Sequence, residues 1–282
     1  MGKSKLSLIG AMVIFGTIGL IRRHIDLPSS FIALARAVIG GAFLLALLAA
    51  QHRKPDFAGI RKNALPLVLS GAFLGFNWVF LFESYRYTTV ATATLCYYMA
   101  PVLVILASPL LKEKLNTRKL LCVGAAIVGI VLVSGVAEGG LGKNPEGILF
   151  GLAAAVFYAF VMLLNKKIRL ESAYDKTIVQ LLVAAAVLVP YVMLTEGMGS
   201  LTFSPIPTVL LITAGIVHTG IAYALYFGSM GRLPAQTVAL YSYIDPVLAI
   251  VLSAVLLSEP MTALTAAGAV LVLGAAFFGE KS

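Results

Sequence analysis

The sequence predicts an all-α integral membrane fold of ten transmembrane helices, arranged as two inverted five-helix repeats. Three observations predict it. Of 282 residues, 60% are hydrophobic and 12% are charged, against about a quarter charged in soluble domains. Apolar runs close to the length that crosses a hydrocarbon core of about 30 Å recur along the chain, divided by short charged connections. The second half of the chain also repeats residue patterns of the first.

The runs follow in order. Leu6–Ile21 comes after Lys3 and Lys5, as the core of a signal peptide would. It has no Ala-x-Ala-like cleavage site, and Arg22-Arg23-His24 follows at once, so it reads as a retained helix. Phe31–Ala50 follows Pro28 and carries Arg36. Ala64–Tyr85 carries Asn77 and Trp78, Thr88–Leu111 carries Pro101, and Leu120–Val136 closes the first half. Gly147–Leu164 and Thr177–Thr195 open the second half. Ile206–Ser229 carries His218, Pro234–Leu257 carries Asp245 and Pro246, and Thr262–Gly279 ends the series. The first, fifth and sixth runs are short, which calls for a thin or locally pinched bilayer.

Charge sets the orientation. With the N-terminus in the cytoplasm, sixteen of the 21 Lys and Arg fall in cytoplasmic segments and four (Arg22, Arg23, Arg86 and Lys143) in outer loops. This positive-inside bias places both termini in the cytoplasm and supports the helix count, because one missed helix would scramble the alternation. The net charge of +9 therefore orients the chain in a bacterial inner membrane. The cations form no continuous patch interleaved with aromatics, so no nucleic-acid partner is expected. Cys96 and Cys122 lie inside apolar runs without metal-ligand spacing and read as small packing residues.

The halves, 1–137 and 147–282, match at a shift of 145 residues. Thr92–Pro101 reads TATLCYYMAP and Thr237–Pro246 reads TVALYSYIDP, pairing Tyr98 with Tyr243 and Pro101 with Pro246. The same shift pairs Gly75 with Gly220 and Trp78 with Tyr223. Leu111-Lys112-Glu113 corresponds to Leu257-Ser258-Glu259 after a one-residue slip, and polar helix starts follow at Asn116 and Thr262. Five helices per repeat is an odd number, so the second repeat enters the membrane inverted. That architecture offers two states of related shape, opening a central site to opposite sides.

On these residues the chain resembles the drug/metabolite transporter superfamily, in its ten-helix, EamA-type branch. The paired Pro101…Leu111-Lys112-Glu113 and Pro246…Leu257-Ser258-Glu259 segments carry the resemblance, with Pro28, Arg36 and the Gly147-x-x-x-Gly151 opening of the second half. It implies a five-plus-five fold around a central cavity, export or exchange of amino acids or other metabolites, and no ATP hydrolysis. The first helix departs from the pattern: it reads Phe15-Gly16 where Trp-Gly is frequent.

Several residues are candidates for the site. Pro101 and Pro246 lie mid-run, where proline frees the carbonyl four residues earlier, here Tyr97 and Ser242, and bends the helix. Asp245 lies near the midplane, where an acid costs about 3 kcal/mol to insert. It is read either as a satisfied structural acid or as a proton or cation site. His218 falls at the same depth, so the two are candidates for a proton-linked pair. Trp78, Tyr97, Tyr98, Tyr223, Tyr226, Tyr241 and Tyr243 lie too deep for an interface belt. They read as core packing or as rings stacking on a substrate.

In a regular helix, either the Tyr241–Ser242–Asp245 face or the Ala239–Tyr243–Pro246 face lines the cavity. Asn77 needs buried partners, so it faces protein or a ligand rather than lipid, and is placed near the substrate. Arg36, about five residues inside its run, either snorkels or pairs structurally, or it holds a substrate carboxylate. Glu83 and Arg86 are expected to pair locally, and Glu113 and Glu259 to cap or pin helix ends. The chain lacks a Walker A loop, His-Glu-x-x-His and Gly-x-Ser-x-Gly. It is therefore read as a non-enzyme with no cofactor and no metal. Its expected partners are a small-molecule substrate, the lipid bilayer and protons, and its expected state is monomeric. Amino acids are the first substrate class and organic cations or drugs the second. A non-transporting receptor or scaffold is the rival from another class.

Overall fold

The computed structural model describes residues 2–107, 109, 116–134, 145–196, 201, 203–230 and 232–280. Among them the regular structure is helical throughout, with no strands. Glu113, expected to pin a helix end, and most of the connection that joins the halves lie outside the described residues.

The helices are α1 (Gly2–Gly16), α2 (Ile18–Arg22), α3 (Ser29–Ala50), α4 (Phe57–Lys62), α5 (Ala64–Tyr87), α6 (Val90–Tyr97), α7 (Ala100–Leu106), α8 (Thr117–Val133), α9 (Pro145–Lys167) and α10 (Ala173–Thr195). There follow α11 (Pro205–Gly215), a π-helical turn (Ile216–Ile221), α12 (Ala222–Met230), α13 (Ala235–Ser242), α14 (Ile244–Leu256) and α15 (Ala263–Glu280).

Six stretches of 21 to 25 residues are long and apolar enough to cross a membrane: Gly2–Arg22, Ser29–Ala50, Ala64–Tyr87, Pro145–Lys167, Ala173–Thr195 and Pro205–Ser229. Val90–Leu106, Leu240–Leu256 and Ala263–Gly279 are shorter apolar helices. The apolar runs account for these positions, and polar side chains account for several starts. Asn116 accepts the Lys119 amide at 2.8 Å and opens α8. Thr262 accepts the Thr265 amide at 3.1 Å and opens α15. A side-chain oxygen at that place satisfies an amide that the first helical turn leaves unpaired.

Pro101 and Pro246 do not sit at the bend of a continuous helix. The chain turns just before them, at Tyr98–Met99 and at Tyr243, and each proline lies in the first turn of the next helix. There its missing N–H has no partner to lose, so proline starts the new helix instead of kinking the old one. The two breaks are repeat-related, because Tyr98 and Tyr243 correspond. The first helix is also broken, at Thr17, whose hydroxyl returns to the Ile14 carbonyl at 2.7 Å.

On α8 and α15, a Cβ added to Gly129 would lie 2.8 Å from the Gly268 carbonyl oxygen and meet Leu271 and Val272. One added to Gly268 would lie 2.6 Å from the Gly129 carbonyl oxygen and meet Leu132 and Val133. Only glycine permits that approach, the small-residue packing typical of helices in lipid. The Ser30 hydroxyl of α3 donates to Glu196, just past the end of α10, at 2.7 Å, and Asp175 in the first turn of α10 accepts the amide of Asp56, which precedes α4, at 3.0 Å. The largest buried apolar cluster joins α3, α5 and α10 through Leu44, Trp78, Phe82, Leu181 and Leu188.

Candidate functional site

Two ionisable side chains mark the candidate site, Arg36 buried and Asp245 partly buried. Arg36 lies two turns into α3, about 10 Å beyond Ser29. It is 5% exposed, which overturns the expectation that it snorkels. The apolar run starts at Phe31, but the helix starts at Ser29, so the side chain is buried deeper than the run suggests. Its guanidinium lies over the Trp78 ring at 4.3 Å and near the Phe82 ring at 5.2 Å. Nε donates to the Thr219 hydroxyl at 3.1 Å. Tyr85, Tyr97 and Tyr223 are close enough to act on its charge. Trp78, Phe82 and Tyr85 stand at intervals of four and three along α5, one helical face. That stripe was legible in sequence, although the reading had singled out only Trp78.

Asp245 is the second charge, in the first turn of α14. The Tyr98 hydroxyl donates to its Oδ2 at 3.1 Å. The Tyr98 ring stands 6.5 Å from that of Tyr243 and 6.0 Å, edge-on, from that of Tyr97. Tyr97 in turn stacks on Tyr158 of α9 at 5.1 Å. Tyr158 had no sequence signal, because its partner is remote in the chain. Tyr85 and Tyr97 lie within electrostatic reach of both Arg36 and Asp245.

His218 does not pair with Asp245 in this structure. Its Nε2 meets the Thr17 hydroxyl at 2.9 Å, at the break of the first helix. The link to Asp245 is indirect: Gly16, next to Thr17, packs so closely on Asp245 that an added Cβ would lie 2.8 Å from the Asp245 carbonyl oxygen. The π-helical turn that carries His218 also carries Thr219, whose hydroxyl reaches the Ala214 carbonyl five residues back at 3.2 Å. Single π-turns inside α-helices are frequent at functional sites. Thr17, Thr219 and the turn itself had no sequence signal.

The remaining candidates separate. Asn77 is fully buried and donates from Nδ2 to the Ala154 carbonyl at 2.7 Å, so its amide clamps α5 to α9. Ser242 returns its hydroxyl to the Val238 carbonyl of its own helix at 2.9 Å. Tyr241 packs with Leu8 and Met12 of α1. Tyr223 meets Phe15 edge-on at 5.5 Å. Neither of the two expected faces of the ninth run is selected whole. The Tyr243 ring and the Asp245 carboxylate both reach Tyr98, because the chain turns at Tyr243.

At the end of the bundle that carries the first loop lies a vestibule of about 710 Å³, lined by Arg22, Arg23, Asp26, Glu83, Tyr85, Arg86, Tyr191 and Glu196 among others. Glu83 and Arg86 pair at 2.9 Å, as expected from their spacing. Tyr85 belongs both to this vestibule and to the surroundings of Arg36. Beside it, Arg23 pairs with Glu259 at 2.5 Å and donates to the Thr88 carbonyl at 2.7 Å. Glu259 also accepts the Val90 amide at 2.7 Å, capping α6, and the Ser253 hydroxyl. Among the described residues, no group of three His, Cys, Asp or Glu side chains is placed to hold a metal.

The sequence profile described as the EamA-like transporter family matches this chain twice, over residues 3–135 and 145–278. A protein of Bacillus subtilis (strain 168), named "Uncharacterized transporter YxxF", is 34% identical over 257 residues, spanning 89% of this chain and 80% of its own. A protein of Salmonella typhimurium (strain LT2), named "Probable amino-acid metabolite efflux pump", is 27% identical over 275 residues, spanning 86% of this chain and 91% of its own. A solved crystal structure with 23% identity superposes with a TM-score of 0.67, covering 99% of this chain and 96% of its own, which shows a shared fold.

Proposed function

The chain belongs to the EamA-like transporter family, and from that premise we propose that it is a secondary transporter of small metabolites, with amino acids as the first substrate class. The proposed architecture is ten spans in two inverted repeats, 1–137 and 147–282. It lies in a bacterial inner membrane as a monomer with both termini in the cytoplasm, so the vestibule and the Arg23–Glu259 pair face outward. The mechanism is alternating access, by export or exchange, with protons coupled through Asp245.

One observation carries the site assignment. Tyr98 and Asp245, each at a helix break of a different half, are joined by a hydrogen bond of 3.1 Å. A contact that spans both breaks is placed to sense movement of one half against the other. An organic cation is the second reading, favoured by Asp245 beside the rings of Tyr98 and Tyr243, which suit a positive charge.

Counterflow in proteoliposomes tests the function. Vesicles loaded with a mixed unlabelled pool are offered labelled amino acids, amines and carboxylates in turn. Uptake driven by the internal pool is expected. Folded protein that drives none of them would move the receptor or scaffold reading to the front.

A further inference from the structure

Arg36 is a buried cation for which the described protein supplies no counter-charge. Arg36 takes part in neither the Arg23–Glu259 nor the Arg86–Glu83 ion pair. Asp245, the acid nearest in depth, is engaged by Tyr98. A guanidinium offers five N–H donors, and the hydrogen bond from Nε to Thr219 uses one. The rings of Trp78 and Phe82 stabilise the charge but take no hydrogen bond in its plane. A buried charge left in that condition is costly, and in a membrane bundle such a group marks a substrate or ion path.

The geometry points to Arg36 as the receptor for a carboxylate on the transported molecule, which makes the substrate class compact monocarboxylates, with amino acids accepted through that group. The inference rests on the transporter reading above. With Nε held by Thr219 on the π-helical turn, the Nη1–Nη2 edge is the fork that remains, and it matches the two oxygens of a carboxylate. One cation with no second Arg or Lys beside it among the described residues suits a single negative charge better than a phosphate. The surrounding rings suit an apolar or aromatic body. The two charged groups are not equivalent, because Asp245 already has its tyrosine partner and Arg36 has no acid. Recognition therefore reads the carboxylate first, and an ammonium group is accepted without being required. Organic cations lacking an acid group are excluded.

The chain contains a single tryptophan, and it is the Trp78 that Arg36 lies over, so intrinsic fluorescence reports occupancy of this site directly. The experiment titrates the purified protein with phenylalanine, 3-phenylpropanoate and phenethylamine. A leucine set (leucine, 4-methylpentanoate and isopentylamine) runs beside it. The same compounds are tested for exchange in proteoliposomes.

Amino acid and deaminated acid are expected to give saturable changes in Trp78 emission and to exchange. The amine is expected to bind more than about 30-fold more weakly. Arg36→Gln is expected to erase the difference between acid and amine, and Arg36→Lys to restore part of it. An amine that binds as tightly as its amino acid in the wild type would overturn the proposal, a comparison that needs no variant to fold. So would exchange of acids that survives Arg36→Gln unchanged. Exchange of amines alone would leave the transporter reading standing and remove this one, whereas neither binding nor exchange by any of the six compounds would remove both.

Discussion

At the scale of single residues, the site depends on a few specific polar contacts. Tyr98→Phe keeps the ring against Tyr243 and removes the hydrogen bond to Asp245. A hydrogen bond to a charged group contributes about 1.5–3 kcal/mol. Exchange in this variant is expected to fall by about tenfold or more while thermal stability changes little. An unchanged exchange rate would show that the contact is not used in the cycle. In the proposed mechanism Asp245 carries the coupling proton. Counterflow by Asp245→Asn is then expected to lose its dependence on pH. A full pH profile retained by the variant would assign the proton elsewhere.

The residue scale also shows where the sequence was legible. Trp78, Tyr98, Tyr243 and Asp245 stood out because rings and an acid at mid-depth need a reason, and the structure gathers Tyr98, Tyr243 and Asp245 around one contact. Asn77 stood out for the same reason, as a buried amide that needs partners, and the Ala154 carbonyl supplies one for its Nδ2 while its Oδ1 stays unpartnered. His218 was matched to the wrong partner because a hydroxyl such as that of Thr17 gives no sequence signal. Arg36 was held to be shallow because apolar runs understate helix length when the first turn is polar, here Ser29 and Ser30.

At the scale of elements, broken helices and close-packed ones have different work. The breaks at Thr17, Tyr98–Met99 and Tyr243 put Thr17, Tyr98 and Tyr243 beside the ionisable groups of the site. Proline in the sequence announced that the fourth and ninth runs would bend. It did not announce that the turn falls before the proline, which follows from where a missing N–H is harmless. The α8–α15 pair is the opposite case, unbroken and packed backbone to backbone. Gly268→Leu adds about 1 kcal/mol of helix propensity, yet its side chain would have to occupy space 2.6 Å from the Gly129 carbonyl oxygen. Overpacking against a backbone that cannot give is expected to prevail, for a net loss of about 1–2 kcal/mol. Thermal unfolding in detergent checks it, and an unchanged or higher midpoint would mean that the two helices can part freely.

At the scale of the whole molecule, the account describes one site presented to two sides. Arg23, Thr88, Val90, Ser253 and Glu259 join the first loop, the start of α6 and the turn after α14 into one closure beside the vestibule. Ser258 adopts φ 52° there, the left-handed region, which helps to turn the chain ahead of the Glu259 cap. Glu259→Gln weakens the pair with Arg23 but leaves the Val90 amide an acceptor. It is expected to raise access to the site from the vestibule side several-fold.

Access itself is the most direct test. In a background of Cys96→Ala and Cys122→Ala, the Tyr243→Cys variant is exposed to a membrane-impermeant thiol reagent in right-side-out and in inverted vesicles. The account predicts labelling from both sides, in proportions that shift when a transported compound is present. Labelling confined to one side under every condition would contradict it.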